Sequence, residues 1–283
     1  MLFCIQMRCA MYGKAEIGGN LEITGIYTAF KRDYKTGYYF SGEFHDFWEI
    51  VIVLSGEIGI TAGSRVMRLS RGQCVLHCPS EFHRIWNDNS LHPQIIIFSF
   101  ACRNMPGMKS RFFSISDELL AEAEATLGEI NCAFERSGIS VVGIKNADSL
   151  DYLTAAKKLE LFILHAISGN SYDIKTAASQ TAKNYSAIIR AIEDNLDKNL
   201  DISELAEICR MSEVNLKKTF ARYGGGGVKA YYNRLRMNKA IALIRSGKSV
   251  SETAEMLGFS NQNYFSAAFK RIVGRSPSDF KAD

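Results

Sequence analysis

Three patterns of apolar and polar positions follow one another along the chain. From residue 20 to 100 the runs are short, β-branched and aromatic: ITGIYTAFKR, YKTGYYFSG, FWEIVIVLSGEIGITAG, SRVMRLSRGQCVLHCP and HPQIIIFSFAC, separated by Gly, Pro and Asn. Turn signals every ~8–12 residues predict an all-β unit, a barrel or jelly roll whose inside is a natural pocket. From 103 to 183 the period lengthens, and SISDELLAEAEATLGEINCAFERSG and NADSLDYLTAAKKLELFILHAIS read as two helices. Asp117 and Glu118 suit the first turn of one; Leu150, Leu153, Ala156, Leu159, Phe162, Ile163 and Ala166 stripe the other. Polar GNSYDIKTAASQTAKN then reads as a linker before the helix YSAIIRAIEDNL.

The last 100 residues carry a repeated device. Between Ser249 and Pro277, Val250, Ala254 and Leu257 give a short helix one buried face, and Gly258 suits the left-handed residue that ends it. Phe259 then enters the core, Ser260 is placed to cap a new helix, and Tyr264, Phe265, Ala268, Phe269 and Ile272 stripe that helix. Its outward face holds Asn261, Gln262, Asn263, Ser266, Lys270 and Arg271. Such a pair is a helix-turn-helix, whose second helix can enter a major groove. Upstream, ISELAEICRMSEVNLKKTF repeats the spacing: Ala206, Arg210, Met211 and Ser212 match Ala254, Gly258, Phe259 and Ser260 at a distance of 48. Leu216 and Phe220 match Phe265 and Phe269 at 49, so the second unit has one extra residue at its turn. AYYNRLRMNKAIALIRSG reads as the connecting helix, with Tyr231, Leu235, Met237, Ala240, Ile241 and Ile244 as its buried face. The run Gly224 to Gly227 exceeds what the turn before it needs, and predicts looser coupling of the two units.

The double unit, the RLRMNKA segment, the GFSNQNYFSAAFK run and the closing GRSPSDF resemble the DNA-binding domain of the AraC/XylS family of bacterial transcription regulators. The resemblance implies base-facing positions at Val214, Lys217 and Lys218 in the first unit and at Gln262 and Asn263 in the second, with Ser266 reaching a base or a phosphate. Amides pair well with adenine and a lysine can donate to guanine, while Ala267, where relatives often carry a long basic residue, offers only contact with a thymine methyl. Arg222, Lys270 and Arg271 are outward cations suited to phosphate. Further upstream, Glu43-x-His45-x3-Glu49-x6-Gly56, then Gly72 and Pro79-x3-His83-x3-Asn87, resembles the two signature motifs of cupins and the sensor half of many AraC-type regulators.

The fold class expected is therefore a two-domain α+β protein. A cupin-like barrel spans 1–110, a helical dimerisation region 111–168, a linker 169–183, and an all-α domain with two helix-turn-helix units 184–283. The partners the resemblance implies are double-stranded promoter DNA, RNA polymerase, a second copy of the chain and a small-molecule effector.

Composition sharpens this picture in two respects. Residues 184–283 hold 16 Lys plus Arg against 11 Asp plus Glu, while the other 183 hold 18 against 19, so the excess positive charge sits on the part expected to meet phosphate. Seven cysteines, at 4, 9, 74, 78, 102, 132 and 209, are scattered without a C-x-x-C pair, which suits a reducing cytoplasm and not a disulfide framework. The N-terminus lacks a signal-peptide pattern, and no apolar run approaches the ~20 residues of a membrane helix.

The candidate chemistry lies in the barrel. Glu43, His45, Phe47 and Glu49 are spaced by two, so one strand would turn all four to one face. A metal-binding cupin would carry His at Glu43, with His45, Glu49 and His83 at its other ligand positions. Two imidazoles with two carboxylates suit a divalent first-row ion. The alternative is that all four only line a pocket, and the preferred reading has no metal cofactor. His45, Phe47, Trp48, Glu49 and His83 are then effector-pocket residues, and Trp86 is a further candidate for stacking. A cupin-type metal-binding enzyme and a ligand-independent DNA-binding protein are the competing functions. No nucleophile and base pair or phosphate-binding glycine loop supports catalysis.

Overall fold

The structure is a computed structural model, and it describes residues 18–88, 92–168 and 179–281. The N-terminus with Cys4 and Cys9, and most of the expected linker, lie outside the described residues. Among the described residues eleven strands and eight helices follow in chain order. They are β1 (Glu22–Asp33), β2 (Tyr38–Tyr39), β3 (Trp48–Ser55), β4 (Glu57–Ala62), β5 (Arg65–Ser70), β6 (Gln73–His77), β7 (His83–Asn87), β8 (Gln94–Arg103) and β9 (Phe112–Ser114), then α1 (Asp117–Ala133), β10 (Phe134–Ser137), β11 (Ser140–Ile144) and α2 (Asp151–Ser168). The second half is helical: α3 (Gln180–Glu193), α4 (Ile202–Ile208), α5 (Glu213–Gly224), α6 (Val228–Arg245), α7 (Val250–Met256) and α8 (Gln262–Val273), closed by a 3₁₀ turn at Pro277–Phe280.

The strands form two antiparallel sheets, β10-β11-β1-β8-β3-β6-β9 and β2-β7-β4-β5. Strand alternation sorts their side chains into layers. Val51 and Val53 of β3, Ile58 and Ile60 of β4, and Ile85 of β7 meet between the sheets. Ile50 and Ile52 turn the other way, onto Leu159, Phe162 and Ile163 of α2 and Ala123, Leu127 and Ile130 of α1. On the far side, Val66, Phe82 and Trp86 leave the smaller sheet to join Tyr185, Ile189, Leu216, Phe220, Tyr223 and Tyr231 of the first helix-turn-helix unit. The order of layers is helix pair, large sheet, small sheet, first helix-turn-helix unit. The second unit has its own core of Met237, Ala254, Leu257, Phe265 and Phe269.

Several local expectations are corrected. The stretch 134–144 is a hairpin, not the end of a helix: Phe134 leaves α1 in extended conformation, Gly138 turns at φ +62°, and β11 adds to β1 at the edge of the large sheet. Alternating Phe134 and Arg136 against exposed Glu135 and Ser137 carried that signal in a period of two. Helix α3 begins at Gln180, capped by the Ser179 hydroxyl, inside the stretch read as linker. The cap of α8 is Asn261, whose side chain accepts from the Tyr264 N–H, not Ser260. Since Ser212 caps α5, the two caps are 49 residues apart and Ser260 is the inserted residue.

Candidate functional site

Two sites emerge, a cavity in the barrel and a pair of reading helices. The cavity, of about 260 Å³, opens between the sheets. Phe30, Tyr34, Tyr38, Phe40, Phe47, Ile85 and Ile97 give it apolar walls; Arg32, Glu43, Glu49, His83 and Ser99 are its polar points. Trp48 is not among its lining. It precedes Glu49 on β3, so the pleat turns it to the helix-packed face. Trp86 also points outward and packs at 5.8 Å on Tyr223 of the DNA-binding half, an interface residue.

The four candidate ligands converge, though not through one strand. Only Glu49 lies in β3; Glu43 is tied to His83 by an isolated bridge, and His45 sits in the irregular approach between them. One ligand atom from each of Glu43, His45, Glu49 and His83 lies within 4.8 Å of every other. His83 Nε2 is 3.3 Å from one Glu49 oxygen and 3.8 Å from Glu43, and His45 Nε2 is 3.8 Å from the other Glu49 oxygen. The outward ring nitrogens are spoken for. His45 Nδ1 donates to the Phe47 carbonyl at 2.9 Å and His83 Nδ1 to the Glu81 carbonyl at 3.2 Å, because a carbonyl can only accept. Ser99 donates to Glu49 at 2.7 Å, and His45 stacks flat on Phe47 at 3.8 Å. Burial, helped by the neighbouring His83, lowers the pKa of His45. Burial pulls His83 the same way, yet the facing carboxylates of Glu43 and Glu49 outweigh it and raise its pKa. Glu49 is pushed upward by burial, but His83 outweighs this and holds it well below the usual carboxylate range.

Sequence reading missed a polar layer behind this cluster. His77 stacks on His83 at 4.3 Å, and its Nδ1 pairs with Glu81, which also holds Arg111. His77 lies one strand over on β6, and its proximity depends on the β3·β6 register.

The pleat that aims His83 inward aims its neighbours at the DNA-binding half. Phe82 packs on Tyr231 at 5.3 Å, Arg84 donates to the Arg222 carbonyl at 3.2 Å, and Phe44 lies 5.4 Å from Tyr231. Thr61 donates to the Tyr223 carbonyl at 3.1 Å, and Ser186 to the Ser64 carbonyl at 2.6 Å.

In the reading helices, Glu213, Val214, Lys217 and Lys218 of α5 are exposed, as are Gln262, Asn263, Lys270 and Arg271 of α8; Ser266 is half-buried. Lys217 pairs with Glu213 at 2.8 Å one turn away. Arg222 stands apart: it borders a cleft shared with Tyr39, Arg68, Trp86 and Asp88 of the barrel, its guanidinium 5.6 Å over the Tyr223 ring. Each turn is closed as its sequence requires, with Arg210 at φ +52° and Gly258 at φ +68° in equivalent left-handed places. Gly258 is further constrained, since a Cβ would overlap the Asp197 carbonyl.

A pocketed β-barrel carrying two helix-turn-helix units defines a ligand-binding, DNA-binding regulator. Comparison with known proteins agrees. Residues 26–141 match the family model of the AraC-like ligand binding domain, and residues 205–283 match that of a helix-turn-helix domain. The chain belongs to the AraC family of transcription regulators. It is 24% identical over 268 residues to the Msm operon regulatory protein of Streptococcus mutans, covering 87% of this chain and 88% of that protein. It is 24% identical over 254 residues to the HTH-type transcriptional activator RhaS of Pectobacterium carotovorum, covering 86% and 88%. Among solved structures it is similar to ToxT of Vibrio cholerae, at 13% identity and a TM-score of 0.35, covering 90% of this chain and 95% of that one.

Proposed function

We propose that this regulator acts as a homodimer on promoter DNA, with occupancy of the barrel cavity setting how its two reading helices are presented. The observation that carries the reading is the shared seam. Arg84 and Trp86 alternate with cavity residues His83 and Ile85 on β7, and with Phe82 just before the strand they hold the first helix-turn-helix unit. A change in the cavity that shifts β7 must move that unit or break its contacts. The domains are read as the barrel and its helical pair through about 168, and the reading domain from about 180, where α3 begins.

Val214, Lys217 and Lys218 are assigned to one major groove, and Gln262, Asn263 and Ser266 to the next, with Lys270 and Arg271 on phosphate. Arg222 is assigned instead to the seam. The helix pair supplies the dimer contact, since Leu150 just before α2 and Leu153, Leu161 and Leu164 within it are exposed. The role follows the regulators the chain is similar to, and the site of action is the cytoplasm, where contact with RNA polymerase would produce the output. Among the described residues no helix is long and apolar enough to cross a membrane.

The test is a mobility shift on DNA upstream of the chain's own gene across a salt series. Lys217→Ala and Gln262→Ala should each weaken binding by ~1–3 kcal/mol and relax preference at one base pair. Loss uniform across sequences would make that residue a phosphate anchor, and undiminished binding would remove it from the interface.

A further inference from the structure

Glu43, Glu49 and His83 of the cavity lining, with His45 beside them, make an arrangement that a pocket for an organic effector does not require. Both histidines donate from Nδ1 to backbone carbonyls, so both present Nε2 to the same point, flanked by two carboxylates. Those two Nε2 atoms are buried and have no hydrogen-bond partner of good geometry. Histidines fixed by a carbonyl at one nitrogen and converging at the other are the outer-shell pattern of metal ligands, and Ser99 fixes Glu49 in the same way.

The distances fit. Donors around a transition ion at ~2.0–2.2 Å lie roughly 3–4.3 Å apart, so a set spread over 4.8 Å needs to close by only about half an ångström. Nitrogen and oxygen donors in equal number select a divalent first-row ion over calcium or magnesium, which favour all-oxygen shells. We propose that Glu43, His45, Glu49 and His83 form a site for one such ion, and that filling it is felt by the first helix-turn-helix unit.

The second half rests on the regulator reading and on a specific linkage. Glu43 and His83 exchange backbone hydrogen bonds of 3.0 and 3.2 Å, so an ion held by both side chains tightens that bridge from the inside. Their chain neighbours Phe44 and Phe82 pack on each other at 5.3 Å and on Tyr231 of α6 from the outside. Glu43 has a side chain 48% exposed, which leaves the ion a route in and an open side toward the cavity.

The experiment uses the full chain stripped with chelator and titrated with Co²⁺, read by calorimetry and by visible absorption, beside a mobility shift with and without the ion. One ion per chain is expected. Glu43→Gln and His45→Ala should weaken binding at least roughly tenfold, the scale found even for outer-shell partners. Glu43→Gln alters a half-exposed residue and avoids a folding defect, and His165→Ala, on the exposed face of α2, should leave the ion bound. Absence of a stoichiometric ion, or equal binding by both variants, overturns the site. An ion that binds without changing DNA affinity overturns the linkage alone. Failure of stripped and loaded protein alike to bind any upstream DNA strikes the regulator reading and leaves the ion titration standing.

Discussion

At Gly225 the backbone is left-handed, φ +67°, and a Cβ would overlap the carbonyl oxygen of Ser41 on the barrel. Gly224, the last residue of α5, faces the Phe220 ring so closely that a Cβ has no room there either. Gly226 and Gly227 have nothing near them. Two of the four glycines are thus demanded by close approach, Gly224 to Phe220 of its own helix and Gly225 to the barrel, so only Gly226 and Gly227 remain as the excess read from the sequence. Gly225→Ala should lower the apparent stability by ~1–3 kcal/mol, combining left-handed strain with loss of the seam contact, whereas Gly226→Ala should stay within ~0.5 kcal/mol. Urea midpoints of the two variants, read by Trp86 fluorescence at the seam, check the contrast; equal midpoints would discount the contact. The glycines were visible in the sequence, but their cause was not, because Ser41 and Gly225 meet only when two domains dock. The Glu43, His45, Glu49 and His83 set was legible for a different reason. Motif spacing alone placed it, although the strand imagined to carry it exists only at Glu49. Trp48 shows the cost of that simplification, since one step along a pleat reverses the side.

Among the helices, α6 shows how far periodicity reaches. Tyr231, Met237, Ala240 and Ile244 are buried as the stripe predicted, and Leu235 and Ile241 are half-buried, but Tyr232 and Arg236 are buried too. A helix wedged between two cores has no single apolar face, which weakens the period on which the reading depends. Arg236 is the unexpected member. It is 2% exposed, donates to the Leu196 carbonyl at 3.3 Å, to Asn199 at 3.1 Å and to the Leu257 carbonyl, and lies 4.3 Å over the Phe259 ring. One guanidinium therefore joins the α3–α4 connection to the turn of the second unit, setting the angle between the reading helices. Arg236→Met would keep most of the volume and leave those acceptors unpaired, at a cost of ~2–4 kcal/mol. Arg236→Lys should recover only part, because a single ammonium cannot span the three directions. Thermal unfolding of the three proteins checks this order, and a methionine variant as stable as the parent would refute it.

The molecule as a whole is a stack with one end left open. The small sheet is covered by the first reading unit, and the large sheet by α1 and α2. The outer side of α2 is covered by nothing among the described residues, though Leu150, Leu153, Leu161 and Leu164 are exposed there, Leu150 at 71%. At 100° per residue these four fall on one stripe, and the stripe is symmetric about Lys157: Leu150 and Leu164 are equally distant from it, as are Leu153 and Leu161. An isologous dimer asks for such a pattern, because an antiparallel copy about a two-fold axis sets Leu150 against Leu164 of the partner subunit and Leu153 against the partner's Leu161. Lys157 would lie near its own copy at the axis, but its ammonium is drawn aside to Glu160 at 2.9 Å. Four leucines per chain on a strip about four turns long, without a cavity to fill, contribute to association and little to the fold of the single chain. Replacing Leu153 and Leu161 together by Glu should leave the unfolding free energy of the single chain, measured at a dilution where the parent is also monomeric, within about 0.5 kcal/mol of the parent, because exposed positions carry little folding energy. The same change should convert the dimer to a monomer in sedimentation equilibrium and weaken binding to a two-site promoter far more than to a single site, since linked reading units gain from effective concentration. A doubly substituted chain that still sediments as a dimer would move the interface off α2, and the β10–β11 edge beside it, with Val142 61% exposed, would be the surface to alter next.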